Sequence, residues 1–182
     1  FIIMTVAQSF SELRGQGVLR RLNTTPMSSA DFMTSNILSN MILSMLQIII
    51  VFVLALLFGF NSKSDIVGIL FAFLIMALFS LSSVGLGLIT ASISKNAGTS
   101  TGISFLFILP QMFFGTFLPI TNTTRAIAVF LPSYYATDAF TSIFNGANLL
   151  SANILIDFAF IAIFSLVIVI LGILIFKKYG NK

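Results

Sequence analysis

Residues 37–60 form a run of 24 amino acids without a charged side chain, ILSNMILSMLQIIIVFVLALLFGF. As an α-helix this run is about 36 Å long, which exceeds the roughly 30 Å hydrocarbon core of a bilayer. Comparable apolar runs at 66–93, 99–118 and 154–176 are predicted to span the membrane as well. Lipid offers no hydrogen-bond partner to a bare peptide group, and the alternating polarity of a barrel strand is absent. The sequence therefore predicts an all-α, polytopic helical bundle in the lipid bilayer, with four complete spans.

The composition supports a membrane location and argues against enzymatic chemistry. Hydrophobic residues make up 58% of the 182 residues and charged residues only 8%, whereas soluble domains carry about a quarter charged residues. The absence of Cys and His excludes disulfides, thiolate metal sites and the commonest general base. The sequence contains no phosphate-binding loop. We expect no enzyme activity, no bound metal or cofactor and no nucleic-acid partner, since the net charge of +4 fits basic cytoplasmic loops.

The chain is predicted to be one transmembrane domain over 1–182, with three segments that differ from complete spans. Residues 1–10 begin inside an apolar run and are predicted to be the end of a truncated span. Residues 11–26 combine leucines at helical spacing with arginines and are predicted to form an amphipathic helix, which Pro26 ends. Residues 119–153 contain pieces too short to span and too apolar for a plain loop, so short interfacial or re-entrant helices are predicted there.

Consecutive spans joined as hairpins place their connections alternately on the two sides of the membrane, and lysine and arginine are divided unevenly between these sides. Seven fall on one side and two on the other; the seven are Arg14, Arg20, Arg21, Lys95, Lys177, Lys178 and Lys182, and the two are Lys63 and Arg125. Because a basic excess marks the cytoplasmic face, segment 11–26 and the C-terminus are predicted to lie in the cytoplasm. Residues 119–153 are then predicted to lie outside the cell membrane.

An amphipathic basic helix beside a span has two interpretations. It can anchor the chain to anionic lipid, at about 1 kcal/mol per basic residue, or it can dock a cytoplasmic partner. The physical argument alone favours the lipid anchor.

Two motifs resemble those of a known family, the ATP-binding-cassette exporter permeases of the second type, which export drugs and polysaccharides. The first is the cytoplasmic-loop motif in ELRGQGVLRRLNTTPMS, at Glu12, Arg14, Gly17, Leu19, Arg20, Arg21, Leu22, Thr25, Pro26 and Ser28. The second lies in LPQMFFGTFLPITNTTRAIAVFLPSYYATDA, at Pro110, Phe113, Phe114, Gly115, Phe117, Pro119, Pro132, Tyr135, Asp138 and Ala139. Leu131 replaces the asparagine that usually precedes the second motif's later proline.

The resemblance implies the membrane subunit of an exporter that works as a homo- or heterodimer with a separate ATPase. That ATPase would use ATP and Mg, and the residues of the first motif would form the coupling helix that docks in its groove. The residues of the second motif would form an extracellular gate or path for an apolar or amphiphilic substrate, such as a drug, lipid, peptide or glycan. The alternative is a secondary transporter or channel, or a regulatory membrane fragment without transport of its own.

Small and polar residues inside the spans are predicted to serve helix packing or function. Ser83, Gly87 and Ala91 repeat every four residues, and Gly98 and Gly102 form a G-x-x-x-G pattern; both allow close approach, within one subunit or between two. Gln47 suits a helix–helix hydrogen bond or a substrate contact. Asp157 is either a functional intramembrane acid or a solvated side chain near the outer surface.

Overall fold

The computed structural model of the chain describes residues 1–16 and 29–179. Every regular element in these two ranges is helical, which confirms the predicted all-α fold class. The elements are α1 (Ile2–Gly15), α2 (Ser29–Leu57), α3 (Ile66–Ile93), α4 (Ala97–Met112), a π-helical turn π1 (Phe113–Phe117), α5 (Asn122–Ala128), α6 (Pro132–Phe144) and α7 (Ala152–Tyr179).

Four helices of the described residues are long and apolar enough to cross a membrane. They cover Thr34–Leu57, Ile66–Ile93, Ala97–Phe117 and Ala152–Phe176, within three residues of every predicted boundary. The agreement follows from composition, because an apolar run of this length satisfies its backbone only as a helix.

The segments outside the four spans depart from the prediction at one point. The predicted boundary at residue 10 is not a helix end, since α1 continues from Ile2 to Gly15 without a break. The remainder of the predicted coupling helix, up to residue 26, falls within 17–28 and lies outside the described residues. In segment 119–153 the structure contains two short helices, α5 and α6.

One compact unit comprises α1, the start of α2, the second half of α3, most of α4 and the second half of α7. Its core is centred on apolar side chains of three helices, Val6, Phe10, Val84, Leu88 and Phe176. Ile3, Val6 and Phe10 are buried, and their spacing of three and four residues places them on one face of α1. The rings of Phe10 and Phe176 meet edge to face, with centroids 5.1 Å apart.

Glycines of α3 allow two neighbouring helices to approach its backbone in this unit. A Cβ atom on Gly87 would lie 2.7 Å from the Cβ of Val6 in α1. A Cβ atom on Gly85 would lie 2.9 Å from the backbone of Ile168 in α7. Gly85 and Gly87 point to nearly opposite sides of α3, since two residues turn a helix by about 200°. Helix α3 is therefore contacted closely on both sides.

The predicted packing residues fall into two groups. Ser83, Gly87 and Ala91 are buried in α3. Gly98 and Gly102 are exposed on α4, and a Cβ atom on Gly102 would meet no described atom within 4 Å. The G-x-x-x-G pattern therefore does not mediate a close helix contact within the described part of the chain.

A second compact unit comprises residues 43–80 and 110–164. Its core joins the first half of α3 to α6 and the start of α7, through Ala72, Ile75, Ala136, Ala139, Ile143, Ile154 and Ile161. The backbone N–H of Lys63 donates to the carbonyl of Phe144 at 3.0 Å, which fastens the α2–α3 connection to the end of α6. Helix α6 is thus a part of this core rather than a surface loop.

Candidate functional site

A polar stripe runs along the face of α1 that contacts the start of α4. We call this contact the α1–α4 seam; it consists of Ala7, Gln8, Ser11 and Arg14 on α1, and Ser94, Ser100 and Thr101 on the α3–α4 turn and α4. The side chains of Gln8, Ser11 and Arg14 follow one another at intervals of three residues. They therefore share a helix face, beside the face that carries Phe10 into the apolar core, and Ala7 contributes its carbonyl oxygen.

Three side-chain contacts join the two helices in the middle of the seam. The Gln8 amide Nε2 donates to Thr101 Oγ1 at 2.7 Å. The hydroxyls of Ser11 and Ser100 share a hydrogen bond, and Ser100 Oγ lies 3.2 Å from the carbonyl oxygen of Ala7. Ser11 and Ser100 are only 2% and 0% exposed. Because buried hydroxyls need protein partners, these contacts hold α1 and α4 in one register.

Arg14 lies at the end of the seam, in the last turn of α1. Its guanidinium donates to the main-chain carbonyl of Ser94, the residue that follows the last turn of α3. A helix leaves its last carbonyls without partners and carries a partial negative charge at that end. A cation placed there satisfies the carbonyl and stabilises the helix end. The sequence motif predicted an ATPase contact for Arg14, whereas the structure gives its side chain a partner inside the chain; Glu12 is exposed.

The α3–α4 turn that receives α1 has its own caps. The N–H of Thr99 donates to Asn96 Oδ1 at 2.9 Å, and Thr99 Oγ1 accepts from the N–H groups of Lys95 and Asn96 at 3.1 Å. The bond from Thr99 satisfies a free donor in the first turn of α4, as asparagine at an N-cap does in general, and the two bonds to Thr99 Oγ1 hold the residues just before the helix. The turn therefore presents Ser94 and Ser100 from a fixed backbone.

Most residues of the predicted coupling motif lie outside the described residues. These are Gly17, Leu19, Arg20, Arg21, Leu22, Thr25 and Pro26. They follow the seam directly in sequence, since only Gly15 and Gln16 separate Gly17 from Arg14. Sequence reasoning missed the seam, although the spacing of Gln8, Ser11 and Arg14 on one helix face was a usable signal.

The second motif begins at Pro110, inside the last turn of α4. Proline cannot donate a backbone hydrogen bond and disturbs the regular helix; three residues later the chain widens into π1. There the N–H of Leu118 donates to the Phe113 carbonyl at 2.8 Å, five residues back. Such π-helical turns are uncommon and are frequent at functional sites. The turn leaves the rings of Phe113 and Phe117 largely exposed.

The structure brings π1 against the first turn of α6. Gly115 is buried, and a Cβ atom there would lie 2.9 Å from the Cβ of Ser133. Pro132 is the first residue of α6, a position where its missing N–H costs nothing. Gly115 of the predicted motif thus contacts Ser133, the residue that follows the motif's Pro132.

The remaining aromatic and proline residues of the motif fix α5. The Pro119 carbonyl accepts the hydroxyl of Thr124 at 3.0 Å, at the start of α5. At its end, the Tyr135 hydroxyl donates to the Val129 carbonyl at 3.0 Å. The Tyr135 ring also stacks on Phe160 of α7, with centroids 3.9 Å apart. Burial raises the pKa of the Tyr135 phenol. Phe114, a member of π1, is half-buried.

Two acidic residues lie at the α6–α7 contact. Asp138 of the motif is exposed, and its charge is close enough to interact with that of Asp157. Asp157 is 5% exposed, and its Oδ2 has no hydrogen-bond partner among the described residues. The interpretation of Asp157 as a solvated side chain is therefore wrong. Asp157 lies in the apolar helix Ala152–Phe176, and acidic residues inside membrane-spanning helices are often functional.

An apolar groove of about 370 Å³ lies between α2, α3 and α6 in the second unit. Its walls include Val51, Phe52, Phe73, Phe140 and Phe144, together with Gln47. The Gln47 side chain is exposed. The second unit thus contains two apolar features, this groove and the exposed aromatic rings of π1.

Comparison with known families identifies the chain's family. A family described as "ABC-2 family transporter protein" matches residues 1–174, nearly the whole chain. No curated protein matches the sequence. The match covers both motifs, the seam, three of the candidate membrane spans entirely and the fourth up to residue 174. The chain belongs to the ABC-2 transporter family, as one of its membrane-spanning permeases.

Proposed function

We propose that this chain is the export subunit of an ATP-driven transporter, powered by a separate ATPase subunit. Membership of the ABC-2 family carries the proposal. The sequence supports ATP hydrolysis on a separate subunit, because it contains no phosphate-binding loop with which to hold ATP. ATP and Mg are then used by the partner, and this chain contributes movement of its helices rather than chemistry.

The segment at 17–26 is the proposed docking element for the ATPase. It connects α1 to α2 and carries Arg20 and Arg21 beside Leu19 and Leu22. Two arginines suit acidic side chains on the partner, and two leucines suit an apolar groove. The uneven division of lysine and arginine supports a cytoplasmic location for this segment.

The outer part of the second unit is the proposed exit for the substrate. The exposed rings of Phe113 and Phe117 and the apolar groove favour an apolar or amphiphilic cargo, which moves out of the cell. Two copies of the permease, identical or different, would enclose the path. The exposed Gly98 and Gly102 of α4 leave room for the close approach of another helix.

Charge reversal at Arg20 and Arg21 tests the docking element. The complete protein with Arg20→Glu and Arg21→Glu is expected to insert in the membrane normally and to lose its ATPase partner on purification. Negative charges would then face the acidic side chains of the partner, and such like-charge contacts cost several kcal/mol at an interface. The measurement is the amount of nucleotide-hydrolysing subunit that co-purifies from native membranes.

Lys95→Glu is the matched control, because Lys95 is exposed on the turn that is predicted to face the same side. This variant should retain the ATPase. Normal retention of the ATPase by the Arg20/Arg21 variant would contradict the proposed docking role.

A further inference from the structure

We propose that Arg14 is a positioning residue, and that the α1–α4 seam is a rigid joint that carries movement from the docking segment to the α3–α4 turn. The inference rests on the proposed function, because the movement originates in the ATPase. It assigns Arg14 to the interior of the permease, in contrast to the arginines that follow it. It also assigns a role to Gln8, Ser11, Ser94, Ser100 and Thr101, which lie outside the family-like motif.

The first support is that α1 is held on two faces at once. Its apolar face packs through Val6 and Phe10 against α3 and α7. Its polar face forms the seam with the start of α4. A helix held on two faces cannot slide along one neighbour without breaking contacts with the other. Movement of the last turn of α1 therefore moves the α3–α4 turn with it.

The second support is that the seam is closed to water at its centre. Ser11 and Ser100 are buried, so separating them would leave two hydroxyls without water as a substitute partner. A contact of this kind stays closed or opens as a whole. Only two residues separate Arg14 from the docking segment. A displacement of that segment by the ATPase would therefore reach the seam before the rest of the permease.

The third support is the geometry of Arg14. Its side chain is half-buried, and its guanidinium donates to the carbonyl oxygen of Ser94, the residue that directly follows α3. An arginine used in this way at a helix end locks that end to α1. An arginine that docked a partner would instead be exposed, as Glu12 is on the same turn.

Arg14→Gln and Arg14→Lys separate positioning from docking in the complete protein with its ATPase. We expect Arg14→Gln to bind the ATPase within about twofold of the native affinity. An ATPase contact would instead lose about tenfold or more, the usual effect of a missing charge-assisted hydrogen bond. The Arg20→Glu, Arg21→Glu protein serves as the reference for lost docking.

The transmission itself is measured by amide hydrogen exchange in the complex with and without trapped nucleotide. In the native protein and in Arg14→Lys, which keeps a cationic donor, exchange should change together in residues 8–16 and 94–101. In Arg14→Gln the change in 8–16 should remain and that in 94–101 should be weaker, because the contacts of Ser100 and Thr101 are kept while that of Ser94 is lost. An equal response at 94–101 in Arg14→Gln would overturn the proposal, and so would a loss of ATPase affinity equal to that of the reference protein.

A disulfide across the seam provides a second, independent test. The sequence has no cysteine, so Ser11→Cys with Ser100→Cys creates the only pair, at two side chains that already touch. Cross-linking should be equally efficient with and without trapped nucleotide, and the oxidised complex should hydrolyse ATP at the rate of the reduced one. The pair Ser11→Cys with Ser39→Cys is the control, because Ser39 is exposed on α2 and bonds within its own helix.

The two proposals fail in different ways. Nucleotide-dependent cross-linking, or hydrolysis that stops on oxidation and returns on reduction, would show that the seam opens during the cycle and would refute the rigid joint. An ATPase that binds regardless of Arg20 and Arg21 would instead refute the docking role, whatever the cross-linking result.

Discussion

Gly85 in α3 and Gly102 in α4 are both glycines in the interior of an apolar helix, and their surroundings differ completely. A Cβ atom on Gly85 would lie 2.8 Å from Ile168 Cγ2 and 2.9 Å from the Ile168 carbonyl carbon and the Val169 nitrogen. A Cβ atom on Gly102 would meet nothing within 4 Å. Gly85→Ala and Gly102→Ala therefore add the same methyl group to a filled and to an open site.

The expected magnitude follows from that difference. Carbon atoms pack at about 3.5–4.0 Å, so the methyl at Gly85 forces α3 and α7 apart by roughly 0.6 Å or more. Overpacking of this kind costs about 1–3 kcal/mol. Alanine gains up to about 1 kcal/mol over glycine in a helix, and this gain is common to both variants. The difference between them isolates the steric cost, at about 2 kcal/mol.

Thermal unfolding of the purified protein in lipid nanodiscs measures the difference. The sequence has no Trp, so helical circular dichroism is the suitable signal. For a chain of this size about 1 kcal/mol corresponds to about 2–4 °C. Gly85→Ala should therefore unfold about 4–8 °C below Gly102→Ala, and Gly102→Ala at or above the native midpoint.

The reciprocal variant checks that the contact is the cause. A Cβ atom on Gly172 of α7 would lie 2.8 Å from the carbonyl oxygen of Gly85, so Gly172→Ala should reproduce the loss. The two losses should not add in the double variant, because one separation of the helices relieves both clashes. Equal midpoints for Gly85→Ala and Gly102→Ala would refute the close approach of α3 and α7.

Two further predictions concern the outer helices and the topology. Tyr135→Phe should lower stability by about 0.5–1.5 kcal/mol, because it removes the hydrogen bond to Val129 and keeps the stack on Phe160; a midpoint unchanged from the native protein would mean that this bond does not hold α5. A single cysteine at Asn122 should react with an impermeant thiol reagent added to intact cells, and one at Asn96 only after the cells are opened, since both positions are exposed and predicted to lie on opposite sides. The reverse pattern would invert the topology.

Much of the architecture could be predicted from local sequence. The four spans were located within three residues because length and apolarity within one segment dictate a membrane helix. Segment 119–153 contains two short helices, α5 and α6, and their interfacial or re-entrant placement stays a prediction. The end of α1 was not placed correctly: charged residues after residue 10 suggested a new element, but they only change the polarity of one continuing helix.

Contacts between distant parts of the chain were beyond such reasoning. Arg14 and Ser94 are 80 positions apart, and Ser11 and Ser100 are 89 apart. No periodicity within one segment indicates which distant carbonyl an arginine will meet. As a consequence, the family-like motif placed Arg14 with the docking residues, and the fold placed its side chain on the end of α3.

The glycines show the same division most clearly. The pattern at Gly98 and Gly102 was the obvious packing motif, yet it faces open space within the described chain, whereas Gly85 and Gly172 meet across two helices. A helix face is defined by local spacing, which the sequence contains. Whether that face is filled depends on the rotation and depth of a neighbouring helix, and these are set by the packing of all the helices together.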